Sequence, residues 1–405
     1  MEDVGDEVGA WARSGVVALT GRNVPLVPPG TGARTAYALG RRFTEATGVA
    51  VDGGRLLSER AAYTGSGRRG SVSAGGSCRL LPCLDGWAAV SSARADDPAL
   101  LGALAFAEPG EDPWTATARW LRGHTGGELD ARAALLGVAA GAVARPEAPH
   151  LPEAGRPRPV AGMLVVDFSA LWAGPLCAHL LGSAGARVVK VETPTRPDGA
   201  RGGDAAFYGL LHAGHSSVVL DPETPGGRRA LAALVAAADI VIEASRPRAL
   251  ARWGLDAEAA AASGKTWVSI TAHGRASDRV GFGDDVAASA GLVARDPSGP
   301  VFVGDAFADP LTGLTAAVLA ASEPPAGAGV LWDLSMTDVV ASTLPESPTG
   351  LSPQAVSTSS GWVVETPDGP VPVAAPARRT GPTGAASASG ADTASVLGSL
   401  GIALP

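Results

Sequence analysis

The sequence predicts an α/β protein: a large domain on a doubly wound, Rossmann-like parallel sheet, with a small α+β domain beside it. Three observations carry that prediction. The chain has 405 residues, 46% of them hydrophobic, enough for a large core and more than one folding unit. Between residues 161 and 343, short β-branched runs alternate with Ala- and Leu-rich stretches of helical length, the rhythm of βαβ units. A stretch with five prolines, 145–160, separates this region from what precedes it, because proline fixes φ and lacks a backbone donor.

The elements follow in order. Residues 163–167 (Met-Leu-Val-Val-Asp) read as a buried strand. Gly174 and Pro175 open a helical stretch over 176–183. A second strand follows at 186–191. Residues 225–238 read as a helix, with Pro225 suited to its first turn. Strands over 239–243 and 266–271 complete the pattern. Ligands on such sheets bind beyond the carboxyl ends of the strands. The loops after Asp167, Val191, Glu243 and Thr271 are therefore the expected binding side. No Gly-x-Gly-x-x-Gly follows the first strand, which disfavours a dinucleotide enzyme. Four regions result: 1–144, the linker 145–160, the large domain 161–343, and 344–405, which begins with a Ser-, Pro- and Thr-rich stretch.

The formal net charge is -8, and this argues against a general nucleic-acid binder, which needs a basic face for phosphates. Cys78, Cys83 and Cys177 are too few and too scattered for a disulfide framework. No paired Cys or His spacing marks a metal site. The acidic N-terminus lacks the basic start of a signal peptide, and the apolar run 231–238 is too short to span a membrane. A cytoplasmic location is expected, away from membranes.

Several motifs share one resemblance. Residues 165–194 run VVDFSALWAGPLCAHLLGSAGARVVKVETP. Then come Ser216-Ser-Val-Val-Leu-Asp221, Glu243-Ala-Ser-Arg-Pro-Arg-Ala-Leu-Ala-Arg-Trp-Gly254, Ser269-Ile-Thr-Ala-His-Gly274, the segment 304–317, and 327–338 (GAGVLWDLSMTD). In this order they resemble the class III (family III) coenzyme A transferases of the CaiB/BaiF type. Residues 361–376 and 396–401 resemble that family's closing hairpin, strand and last helix. Residues 85–101 resemble its small domain, which normally follows the catalytic segment. Residues 14–21 resemble 290–294, so the N-terminal region reads as a partial second copy. Gly32 to Arg34 stand near the nucleophile position of that copy, without an acid.

The resemblance implies the family fold, a homodimer, and transfer of CoA between small carboxylic acids, with acyl-CoA as substrate and no permanently bound cofactor. It also implies that Asp309 is the nucleophile. A carboxylate can attack a thioester, hold the acyl group as an anhydride and then form an enzyme thioester. The plain reading of Asp309, which lies before Pro310, is a helix N-cap. Asp305 reads as a surface carboxylate. Positions implied to contact CoA or its acyl group are Trp172, Thr193, Leu220, Ala244, Ser245, Ala249, Arg252, Thr271 and His273. Gly75 and Gly76 match a glycine loop over the active site, or form a plain turn. Several cations of the family are replaced, by Thr193, Glu223 and Thr271 among others. Arg196, Arg201, Arg246 and Arg248 stand near enough in sequence to substitute.

Two other readings stay open. An acyl-CoA racemase or isomerase on the same fold needs an acid and a base, usually His and Asp. The matching stretch is Gly283-Asp284-Asp285, and His273, at an aromatic position, reads as packing. A non-catalytic family member fits the thinned cation set and the partial N-terminal copy.

Overall fold

The structure is a computed structural model that describes residues 5–245, 247–325, 328–346, 350–379 and 385–405. Its centre is a six-stranded sheet in the order Val330–Ser335, Thr266–Thr271, Ile240–Glu243, Leu164–Asp167, Arg187–Glu192 and Ser216–Val219. Every pairing in it is parallel. Numbered along the chain, the order is 3-2-1-4-5-6, the doubly wound arrangement with its switch point between the strands ending at Asp167 and Glu243. The four expected strands are present. Ser216–Val219 and Val330–Ser335 add one more at each edge.

Both faces of the sheet are covered. Val165, Ile240 and Ile242 share a core with Leu176, Leu180, Leu311 and Leu314. Val166, Val189, Val191 and Val241 share another with Leu231, Leu234 and Leu397. Strands buried on both faces read as unbroken apolar runs, which is the pattern in the sequence. On the first face, helices Ala173–Ser183 and Ala308–Ala320 pack together. Gly313 allows their close approach, since a Cβ there would lie 2.5 Å from the Ala173 carbonyl oxygen.

The N-terminal residues build in two directions. Strands Cys78–Cys83, Gly86–Ser91 and Ala140–Ala142 form an antiparallel sheet. Helices Asp97–Ala105, Pro113–Leu121 and Gly126–Leu136 cover it around Leu101, Leu104, Leu121 and Leu129. The helices before this unit, Gly5–Ser14 and Gly32–Thr47, join the main core instead. Trp11 packs 5.6 Å from the Phe307 ring. Gly32 starts its helix against the same ring, where a Cβ would be only 2.8 Å away. Helix Gly283–Ser289 lies between the antiparallel unit and the main core. The N-terminal residues therefore close over the start of the Asp309 helix.

The C-terminal residues return to the edge strand Ser216–Val219. Asp392 accepts the Ser217 N–H at 2.8 Å, and the Thr393 hydroxyl accepts the Val219 N–H at 3.1 Å. Among the described residues no helix is long and apolar enough to cross a membrane.

Candidate active site

Asp309 is the second residue of helix Ala308–Ala320, and the N-cap position belongs to Phe307. The N-cap reading of Asp309 is thereby corrected. Pro310 fits the first turn because that position needs no backbone donor. The turn before the helix is tight, with Ala306 in the left-handed region at φ 47°, unusual for a residue with a Cβ. The Ala306 N–H donates to Asp284 at 2.8 Å, and its carbonyl accepts the Asp309 N–H at 2.9 Å.

The Asp309 carboxylate projects from the first helical turn, where unpaired N–H groups and the helix dipole favour negative charge. The backbone N–H of Ala173 lies near enough to favour its charged form. Gly283 lies against its other side: a Cβ at 283 would sit 2.1 Å from Asp309 Oδ2. Only glycine permits that approach. Burial pushes the Asp309 carboxyl up to about 7, opposed by Arg60 and reinforced by the charges of Asp284 and Asp305.

Asp305 is fully buried and not at the surface. Arg60, 245 residues earlier, grips it with both arms of the guanidinium, Nε donating to Oδ2 at 2.9 Å. The same guanidinium lies 5.0 Å from the centre of the Trp172 ring, within cation–π range. Trp172 is buried and meets Phe207 edge-on at 5.3 Å. Gly75 brings its backbone close to Arg60, since a Cβ there would lie 3.7 Å from one terminal nitrogen. Asp284, at the start of helix Gly283–Ser289, is pushed up to about 6 by burial and by Asp305, with Arg60 opposing. Asp285 is pushed up to about 7 by burial, although Ser91 donates to it at 2.6 Å. Asp284, Asp305 and the partly exposed Asp309 thus gather around one guanidinium, with Asp285 next to Asp284.

A second feature lies at the carboxyl end of the sheet. Thr193, Thr195, Arg196, Pro222, Glu223, Arg228, Ala249, Arg252 and Trp253 line a cleft of about 460 Å³. Arg228 donates to the Pro222 carbonyl at 2.8 Å. Among the described residues, Arg196 and Arg252 have no ion-pair partner. Thr193, Ser245 and Thr271 each hold a buried side-chain oxygen without a hydrogen-bond partner, which is costly unless something else satisfies it.

The expected site residues therefore separate into groups. Thr193, Ala249 and Arg252 share the cleft. Asp309, Trp172 and Gly75 gather around Arg60, while Gly76 sits beside Arg69 in the left-handed region. Ala244 packs at the start of helix Ala173–Ser183, where a Cβ on Gly174 would lie 3.6 Å from its own. Leu220 is buried in the core beneath the sheet and reaches neither group. His273 bonds to the Thr337 hydroxyl at 2.9 Å, and burial pulls its pKa down to about 4, so it packs as a neutral ring. Of the substitute cations, Arg201 is spent on Glu192 at 2.5 Å and Arg248 on Asp278. Arg196 is available, and Arg246 lies outside the described residues. Arg60 and Arg228 escaped the sequence reading. Nothing local marks them, since their partners come from distant segments or from backbone.

Beneath the loop that leads to Trp172 lies a third group. Lys190 is buried and pairs with Asp198 at 2.9 Å and Asp167 at 3.6 Å. It also donates to the Ser169 carbonyl. Asp167 accepts from the Ser169 N–H at 2.8 Å, and Asp198 from the Leu171 N–H at 3.0 Å. Glu192 accepts the Asp198 N–H at 2.7 Å beside Arg201. Against burial, Lys190 and backbone donors hold Asp198 below its ordinary range, and Arg201 does the same for Glu192. Burial wins at Asp167, which is raised despite Lys190. Among the described residues no cluster of three His, Cys, Asp or Glu could hold a metal.

Residues 160–361 match the family model described as CoA-transferase family III. The chain is 30% identical over 203 residues to a succinyl-CoA–D-citramalate CoA-transferase of Chloroflexus aurantiacus, covering 45% of this chain and 50% of that one. It is 31% identical over 216 residues to a succinate–glutarate CoA-transferase of Agrobacterium fabrum, covering 47% and 54%. A crystal structure of a CaiB/BaiF family protein from Brucella suis overlaps 52% of this chain and 66% of that one, at 26% identity and a TM-score of 0.47. The chain spans about half the length of the curated relatives it matches.

Proposed function

Residues 160–361 place the chain in CoA-transferase family III, and from that membership we propose that it moves CoA between carboxylic acids with Asp309 as nucleophile. The observation that carries this is the setting of Asp309. Among the described residues its carboxylate has no ion pair of its own; the nearby Ala173 N–H favours its charge, and it faces a glycine with no side chain to block approach.

The chemistry follows from the carboxylate. An Asp309 oxygen attacks the thioester carbonyl, the C–S bond breaks, and CoA leaves as a thiolate. The product is a mixed anhydride between Asp309 and the acyl group. The thiolate then attacks the Asp309 carbonyl carbon, giving an enzyme thioester and releasing the donor acid. An acceptor carboxylate attacks this thioester to form a new anhydride and free the thiolate again. Attack of that thiolate on the new acyl carbon yields the second acyl-CoA and restores Asp309.

The cleft of Arg196, Arg228 and Arg252 suits the phosphates of CoA, because guanidinium groups make charge-assisted bonds to phosphate. The buried, unpartnered hydroxyl of Thr193 supplies a donor in its wall. The relatives named above act on succinyl-CoA or succinate, so succinyl-CoA is the first donor to try. A homodimer and a cytoplasmic location belong to the same proposal, as does the partial N-terminal copy, whose Gly32 abuts Phe307 just before the Asp309 helix.

The test is a trap. Incubation with succinyl-CoA and hydroxylamine, followed by peptide mass analysis, is expected to leave a hydroxamate on Asp309, and Asp309→Asn to abolish it. Exchange of the α-proton of a chiral acyl-CoA without an adduct would select the racemase reading instead. No adduct, no exchange and no melting shift with CoA would leave only the non-catalytic reading.

A further inference from the structure

We propose that Arg60 is a positioning residue of the Asp309 site, the cation that lets the crowded carboxylates of Asp284, Asp305 and Asp309 coexist. This rests on the reading of Asp309 given above.

The geometry comes first. Arg60 belongs to helix Glu59–Thr64, in the N-terminal residues, and the Asp309 helix lies about 250 positions later in the chain. Its guanidinium is held on two sides, by both oxygens of the buried Asp305 and by the face of Trp172. That fixes a permanent positive charge, since a guanidinium does not lose its proton in proteins. Asp284 and Asp309 both lie within its field.

The groups facing Asp309 come from four directions. The helix Gly283–Ser289 brings Asp284, with Asp285 behind it on Ser91. The turn before the helix brings Asp305, and the helix Glu59–Thr64 brings Arg60. The Trp172 loop brings only the Ala173 N–H. Cys78, on the antiparallel sheet beside Asp284 and Asp285, stays a neutral thiol because burial raises it well above its ordinary value. Glu59, next to Arg60, turns to Arg379 instead, at 3.0 Å. Arg60 is thus the cation with the largest effect on the Asp309 carboxylate.

This role has a signature that structural support alone does not share. Arg60→Gln and Asp305→Asn break the same ion pair. If the pair merely held the fold, both variants would disturb Asp309 in the same direction. If Arg60 sets the charge at Asp309, the two act oppositely. Loss of the cation raises the Asp309 pKa, and loss of the neighbouring anion lowers it, each on the order of 1 pH unit. Arg60→Lys, which keeps the charge, stays close to the parent chain.

The experiment is carboxyl-carbon NMR on the full chain labelled with 13C-aspartate, the Asp309 resonance being assigned by its loss in Asp309→Asn. Opposite shifts in Arg60→Gln and Asp305→Asn, with Arg60→Lys near the parent, are expected. Shifts of the same sign, or none, overturn the proposal. Should Arg60→Gln fail to fold, Asp305→Asn and Arg60→Lys still decide, because an Asp309 pKa that does not fall in Asp305→Asn overturns it alone. The pH dependence of succinyl-CoA trapping is then read on the same variants. If the NMR shifts appear but no adduct forms at any pH, transfer through Asp309 fails while the electrostatic assignment stands. If trapping occurs but its acid limb ignores both substitutions, the role of Arg60 fails and the transferase reading stands.

Discussion

Two groups of acids, all but Asp309 buried, border the loop from Ser169 to Ala173, and they are balanced differently. Beneath the loop, Asp167, Glu192 and Asp198 share Lys190, Arg201 and several backbone donors. Two of those three acids are held below their ordinary range. Above it, Asp284, Asp305 and Asp309 share the Arg60 guanidinium with Asp285 next to them, and Asp284, Asp285 and Asp309 are pushed up to about 6 or 7. Burial alone therefore does not decide what an acid does. In the first group, cations and donors favour the ionised forms of Asp198 and Glu192, and the paired network holds the fold. The second is short of positive charge, so Asp284, Asp285 and Asp309 change protonation near neutral pH, where a nucleophile or a proton carrier is useful.

The sharpest way to break the contrast is at Lys190. Lys190→Met leaves Asp167 and Asp198 buried without their cation, which is expected to cost about 3–5 kcal/mol. Urea unfolding reads this as a large fall in the midpoint; an unchanged midpoint would mean that the group does not hold the fold. Next in size is Gly283→Ala, whose methyl would collide with Asp309 Oδ2 and the Ala306 carbonyl. Overpacking of this kind costs about 1–3 kcal/mol, and the succinyl-CoA adduct on Asp309 is expected to be lost with it. An undiminished adduct would show that the close approach of Gly283 is not needed.

A smaller effect tests the sign of the two groups. Between the unfolded aspartate pKa of about 4 and the folded Asp309 value, the folded chain binds more protons than the unfolded one. That contribution makes stability fall as pH rises across the window. Asp309→Asn is therefore expected to melt higher than the parent at pH 8, by on the order of 1 kcal/mol, and to match it near pH 4. Asp198, held low, works the other way: its contribution is present above the unfolded pKa and is lost as pH falls. Asp198→Asn is expected to melt lower than the parent at pH 8. Thermal melts of both variants at the two pH values check the pair, and a common sign would erase the distinction. The smallest stability effect belongs to the exposed cleft. Arg252→Ala is expected to change stability by less than about 0.5 kcal/mol while reducing the melting shift caused by CoA. An unchanged shift would remove Arg252 from the binding surface.

Much of the fold was legible because it is repetitive. The strand runs at 163–167, 186–191, 239–243 and 266–271 carry the apolar, β-branched signature of two-sided burial. The edge strands Ser216–Val219 and Val330–Ser335 are harder to see: Ser216, Ser217 and Asp333 break the apolar run. Asp309, Trp172 and Arg252 were singled out by their motifs, and the structure sets Asp309 and Trp172 beside Arg60 and Arg252 in the cleft. Arg60 was not, because its meaning lies in a partner 245 residues away. Asp305 was misread for the same reason, since a lone carboxylate between Gly304 and Ala306 looks solvated until its cation is found. Leu220 was misassigned because its position follows a strand end while its side chain turns into the core. Arg196, Arg201 and Arg248 looked equivalent, and only the placement of Glu192 and Asp278 separates the free arginine from the spent ones.

The loop between the two acid groups joins them mechanically. Ser169 is anchored through Asp167 and Lys190, Leu171 is held by Asp198 in a left-handed turn at φ 69°, and Ala173 points its N–H at Asp309. Five residues thus run from a rigid mooring to the Asp309 carboxyl. Slack at the mooring would travel along them: if Lys190 lets go, the Ala173 N–H loses its aim at Asp309.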